Sequence, residues 1–162
     1  MTREELIEKA GRITPPGQQT AREFETQAPA LAAELNQRMS ARADITTLIG
    51  KNNTAMMEDN HRNHARFMTS LLWLYDPKTL VDTVLWVFQA YRSHGFRLTY
   101  WPAQLDTWMQ MLEERLSPEA YAEISPIYSY MIVNQAAFAG LSETAIQQAL
   151  RPIHEPGGCA QP

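Results

Sequence analysis

The side chains of this chain that could do chemistry are four histidines, a handful of tyrosines and one cysteine, and their spacing restricts what they can do. Glu58, His61 and His64 read E-x-x-H-x-x-H. On a helix the i, i+3 spacing brings successive side chains together, and E-x-x-H is one half of a carboxylate-bridged two-metal site in a helical bundle. Such a site needs a second copy and further glutamates on facing helices, and this sequence has one copy. The surrounding run EDNHRNHAR is strongly polar and predicts a solvated helix face. Cys159 stands alone near the C-terminus, so neither a disulfide framework nor a thiolate zinc site can form. No P-loop, G-x-G-x-x-G, G-x-S-x-G or H-E-x-x-H occurs. Nothing in these patterns points to catalysis, and the expectation is that the protein is not an enzyme.

The elements that must position these residues read as helices from end to end. Thr2 with Glu5 forms a capping box, and Gly11 with Pro15, Pro16 and Gly17 ends that first helix. Thr20 with Glu23 is expected to open the next helix, which Pro29 either kinks or restarts. A short helix over 41–49 stops at Gly50, and Asn53 or Thr54 caps a long one carrying Met56, Met57, Phe67, Met68 and Leu71. Asp76 with Pro77, and Ser117 with Pro118, each pair a cap with proline at the first helical position. Pro126 is expected to bend its helix, Gly140 to end it, and Ser142 to cap a last short one. The fold class is all-α, a stack of about seven or eight helices over residues 1–150. Residues 151–162, with three prolines and two glycines, are expected to form a disordered tail.

The most informative stretch is Val81 to Trp101, VDTVLWVFQAYRSHGFRLTYW. Leu80, Val81, Val84, Leu85, Phe88 and Tyr91 recur at helical periodicity, Gly95 supplies the stop, and Pro102 fits the first turn of the next helix. Before it come APALAAEL with Pro29, a short helix ending TTLIG, the long helix from Met56 to Leu74, and the link Tyr75-Asp76-Pro77; after Gly95 follows the aromatic pair Tyr100-Trp101. In this order and spacing the segment from about Ala21 to Leu116 resembles the globin domains of bacterial globin-coupled sensors. Haem-binding members of that family carry their ligating histidine four residues before the glycine, and here that position is Tyr91. The resemblance therefore shifts toward the non-haem sensor globins at the N-termini of stressosome proteins.

The resemblance implies a globin-like stack with a pocket whose distal wall is the Met56–Leu74 helix. Tyr91, Phe88, Met68, Phe67, His64 and Trp101 are the expected pocket residues, with Met56 and Met57 as further lining. It implies a sensor or regulatory domain that binds a small apolar ligand or signals through a partner protein, with no haem as the favoured reading. A haem-binding gas sensor or carrier is the alternative. Its metal ligand would be His94, which lies three residues after Tyr91 and so points about 60° away on an ideal helix. Tyr91 as a phenolate is a lesser route, because a phenol titrates near pH 10 unless a partner lowers it. The plain reading of His94 is a last-turn residue bonding orphan carbonyls.

Composition agrees with a single domain. The chain has 162 residues, 44% of them apolar and 20% charged, with a net charge of −4 and no polybasic run. That argues against nucleic acid or anionic membrane as a partner, and cytoplasmic location is expected. The family likeness also implies a homodimer built on helices 102–116 and 118–139. Leu105, Trp108, Leu112, Ile127 and Met131 are its expected interface, on stripes wider than one globin face would need.

Overall fold

The computed structural model describes residues 1–149, with side chains through residue 145. The expected tail at 151–162, with Cys159, lies outside the described residues. Among the described residues there are eight α-helices and no strand: α1 (Arg3–Ala10), α2 (Gln18–Ser40), α3 (Ile45–Ile49), α4 (Thr54–Trp73), α5 (Pro77–Ser93), α6 (Tyr100–Arg115), α7 (Pro118–Val133) and α8 (Gln135–Ala149). No helix among them is long and apolar enough to cross a membrane. The chain is an all-α stack in which α2 lies along α4, α1 and α8 pack on α5, and α7 packs on α2, α6 and α8.

Local chemistry sets most helix ends as expected. Thr2 and Glu5 exchange both bonds of a capping box, Asp76 accepts from the Thr79 amide, and Ser117 accepts from the Ala120 amide. Gly95 takes φ +82°, the left-handed conformation that lets the Phe96 amide reach back to the Tyr91 carbonyl at 2.9 Å. With only eight residues, α1 is too short to be stable alone. It is tied down by a bidentate Arg3–Asp82 pair to α5 (2.7 and 2.8 Å) and by the Tyr75 and Tyr130 hydroxyls, which donate to the Ala10 and Leu6 carbonyls.

Other boundaries differ, each for a reason outside the local sequence. Residue Gly17, not Thr20, is the N-cap of α2, because its amide donates to Glu123 of α7 at 2.9 Å and Thr20 is buried one turn in. Reciprocally, Glu23 of α2 accepts from the Ser117 amide and hydroxyl at 2.6 and 2.8 Å, so each helix caps the other's start. Pro29 and Pro126 sit inside α2 and α7 without ending either. Residue Asn53 is the N-cap of α4 by position only; its amide nitrogen donates to the Ile49 and His94 carbonyls at 2.7 and 3.0 Å, pinning the end of α3 to the end of α5. The break expected at Gly140 falls instead at Asn134, and Ser142 is a buried mid-helix residue of α8 whose hydroxyl donates to the Ala139 carbonyl.

The expected dimer interface is corrected. Leu105, Trp108, Leu112, Ile127 and Met131 are all buried within the single chain. Their stripes are wide because α6 is covered by both α2 and α7, and α7 by α2, α6 and α8, so two apolar faces of one helix find neighbours in the same chain. Trp108, one of the five, is among the largest fully buried side chains. Trp108→Ala is therefore expected to lower unfolding stability by about 3–5 kcal/mol, the range for truncating a large buried aromatic. Urea denaturation measures that loss. The mass by light scattering should be unchanged between wild type and variant.

Candidate functional site

A cleft of about 240 Å³ lies between α4, α5 and the start of α6. Helix α4 contributes Asn60, Asn63, His64 and Phe67; α5 contributes Thr83, Trp86, Val87, Ala90 and Tyr91; α6 contributes Trp101. On α4 and α5 these positions recur three or four apart, which is what places them on one face of each helix. Four of the six expected pocket residues are therefore brought together: Tyr91, Phe67, His64 and Trp101. The other two are core residues. Phe88 is buried and stands behind the wall, with its ring centroid 4.9 Å from Trp101 and 6.1 Å from Phe138. Met68 is fully buried away from the cleft, as is Met57.

Two larger concavities lie outside this wall. A groove of about 510 Å³ between α2 and α4 is floored by alanines and edged by Glu25, Arg62 and Arg66, and one of about 660 Å³ runs from Trp86 past His94 to Glu143. Both are open surface features edged by charged side chains; the smaller cleft is where buried aromatic and polar groups converge.

Beneath the cleft runs a buried polar chain. His61 is fully buried, contrary to the solvated face expected for its polar stretch, and it bridges three helices. Its Nδ1 lies 2.6 Å from Asn36 Oδ1 on α2, and its Nε2 lies 2.6 Å from the Tyr100 hydroxyl on α6. With the asparagine presenting its carbonyl oxygen, Nδ1 carries the proton and Nε2 accepts from Tyr100. One turn on, His64 Nε2 pairs with the Tyr128 hydroxyl of α7 at 2.8 Å, and its ring packs 5.1 Å from that of Trp108. The Tyr91 hydroxyl accepts from Gln104 Nε2 at 3.2 Å. Asn36, Tyr100 and Gln104 were not expected at the site; Tyr100 was marked only as the neighbour of Trp101 in the aromatic pair after Gly95, and nothing in the sequence around Asn36 or Gln104 marks them. The missing lining residues do carry a signal: Thr83 and Val87 stand eight and four residues before Tyr91, on the same helical face.

Burial dominates the electrostatics. It lowers His61 to about 3, assisted by the nearby charges of His64 and Arg62, and lowers His64 to about 4. It raises the phenols of Tyr91, Tyr100 and Tyr128 above their ordinary value. For Tyr91 this opposes the phenolate that a haem ligand would have to be. His94, the other expected metal ligand, is the exposed C-cap of α5, with Nδ1 2.7 Å from the Ala90 carbonyl of its own helix. It lines the outer concavity and not the cleft. Glu58 does not join His61 and His64, and among the described residues no three His, Cys, Asp or Glu side chains gather as a metal site. Neither the family models, nor the curated proteins, nor the solved structures include a match to this chain.

The lowered histidines set a pH dependence whose sign is fixed. A buried neutral histidine resists protonation in the folded chain, whereas in the unfolded chain it protonates below about pH 6.5. Its full stability is therefore present above about pH 6.5 and is lost as pH falls toward about 4 for His64 and about 3 for His61. The limiting slope is about 1.4 kcal/mol per pH unit for each histidine. Urea unfolding between pH 6.5 and 4.5 should show stability falling with pH, and the slope should flatten in the double variant His61→Gln, His64→Gln.

Proposed function

We propose that the chain is a non-enzymatic regulatory domain of globin-like type, working in the cytoplasm without haem, whose α4–α5–α6 cleft takes a small apolar ligand. The observation that carries this reading is the lining itself: ten residues with no Asp, Glu, Lys or Arg among them, and a histidine held neutral. A volume of about 240 Å³ lies below the range of about 300–1,000 Å³ that drug-sized molecules occupy, yet above the roughly 150 Å³ cavity that admits benzene. Trp86 lines the same cleft while remaining 66% exposed, so an occupant touches a side chain on the outer face of α5, where a partner protein can sense it.

The residues present do not fit a haem. The cleft is too small for the macrocycle, Tyr91 is buried as a neutral phenol, His64 is engaged by Tyr128, and His94 faces away.

Toluene in the buffer should shift the methyl signals of Val87, Ala90 and Thr83 saturably and raise the melting temperature. Ala90→Trp, which fills the cleft, should cancel both effects. Haemin added to the protein should give no stoichiometric histidine-ligated absorption band. A one-to-one spectrum that vanishes in His94→Ala would sink the proposal in favour of a haem-binding gas sensor.

A further inference from the structure

Two residues, Trp86 and Ala90, line both the cleft and the outer concavity of about 660 Å³. Of the residues lining the cleft, Tyr91 and Trp101 are buried, and only Asn63 on α4 and Trp86 on α5 are exposed, so these two mark its mouth. Trp86 is 66% exposed, a large apolar surface left in water. The other indoles are held: Trp73 donates to Glu25 at 3.1 Å, Trp101 packs on Phe88, and Trp108 packs on His64. Trp86 makes neither a hydrogen bond nor an aromatic ring contact of this kind among the described residues. On a helix a long side chain has two open χ1 settings, near 180° and −60°. At about 100° per residue, Val87 of the cleft falls about 100° to one side of Trp86 around α5, and Gln89 of the outer concavity about 60° to the other. Open space therefore lies on both sides of an indole that nothing anchors.

We infer that Trp86 is a movable lid: its indole swings between the outer concavity and the mouth of the cleft, and an apolar occupant holds it over the mouth. This rests on the ligand-binding reading of the cleft and adds the device by which occupancy reaches the surface. With the cleft empty, an indole over the mouth covers only open space. With an apolar body inside, the same setting removes both from water and stacks one on the other. The occupant thus favours one setting over the other, which is what shifts the population. No hydrogen bond of the indole has to break for the swing. Closure also draws the indole off the wall it shares with the outer concavity, so the outer face of α5 changes shape with occupancy.

Toluene added to the wild-type protein tests this by NMR, with the four indole N–H signals assigned by single Trp→Phe substitutions. The χ1 setting of Trp86 is read from three-bond couplings to its Cγ, and its access to solvent from broadening by a soluble gadolinium chelate. Saturating toluene, followed through the methyl signals of Val87, Ala90 and Thr83, should change the Trp86 couplings and weaken its broadening. Trp73, bonded to Glu25, should keep both unchanged. Trp86→Ala should bind toluene roughly three- to tenfold more weakly, the worth of one aromatic stacking contact, and Trp86→Phe should fall between. Both variants should keep the wild-type melting temperature without toluene, because the side chain is exposed. Trp86 couplings and broadening that stay constant while the methyl signals saturate would overturn the lid and leave the cleft standing, and so would full affinity in Trp86→Ala. If toluene moves none of the three methyl signals, the cleft reading itself falls, and this inference with it.

Discussion

The tie on which the rest of the site depends is the imidazole of His61, which joins α2 through Asn36 and α6 through Tyr100 while belonging to α4. Two bonds of 2.6 Å to two other helices fix the rotation of α4 about its own axis. That rotation decides which residues look toward α5. Three positions further along, His64 falls beside the cleft and reaches Tyr128, and Phe67 follows one turn later on the same wall. A fully buried polar side chain is tolerable only when both ring nitrogens are satisfied, and here they are. The neutrality of the ring is thus a condition of the architecture as well as a consequence of burial.

The same rule of satisfied polar groups governs the frame. Helices α2 and α7 cap one another through Glu123 at Gly17 and Glu23 at Ser117, so the packing of the pair and the definition of their ends are one event. Asn53 fastens the ends of α3 and α5 to the start of α4, and Arg3 with Asp82 holds the short α1 on α5. Against this background three buried polar atoms lack a partner among the described residues: Trp101 Nε1, Trp108 Nε1 and Gln104 Oε1. The frame holds the walls apart, and the character of the space between them is apolar and uncharged.

What could be read in advance follows from how local each determinant is. The all-α class, the caps at Thr2, Asp76 and Ser117, and the stop at Gly95 depend on neighbours within four residues, and they hold. Four cleft residues were legible because helical spacing from Tyr91 and along α4 is a local property. The start of α2, the continuation of α8 through Gly140 and the burial of His61 depend on residues far away in sequence, and no local pattern carries them. The broad stripes on α6 and α7 were legible as apolar, but not what covers them; the covering helices lie in the same chain, and Trp108 is inside. Neither Asn36 nor Gln104 has a sequence signature, since each matters only through a partner on another helix.

The two α4 histidines act as neutral struts, each committed to a hydroxyl partner. Ring-nitrogen NMR on protein labelled with 15N-histidine tests this role most directly, since protonation state and tautomer are read from the Nδ1 and Nε2 shifts of each ring. His61 should be a neutral ring with its proton on Nδ1, His64 should likewise be uncharged, and both spectra should hold constant from pH 7.5 down to about pH 5. A His61 or His64 ring that titrates near pH 6.5, or a His61 whose proton resides on Nε2, would contradict that role.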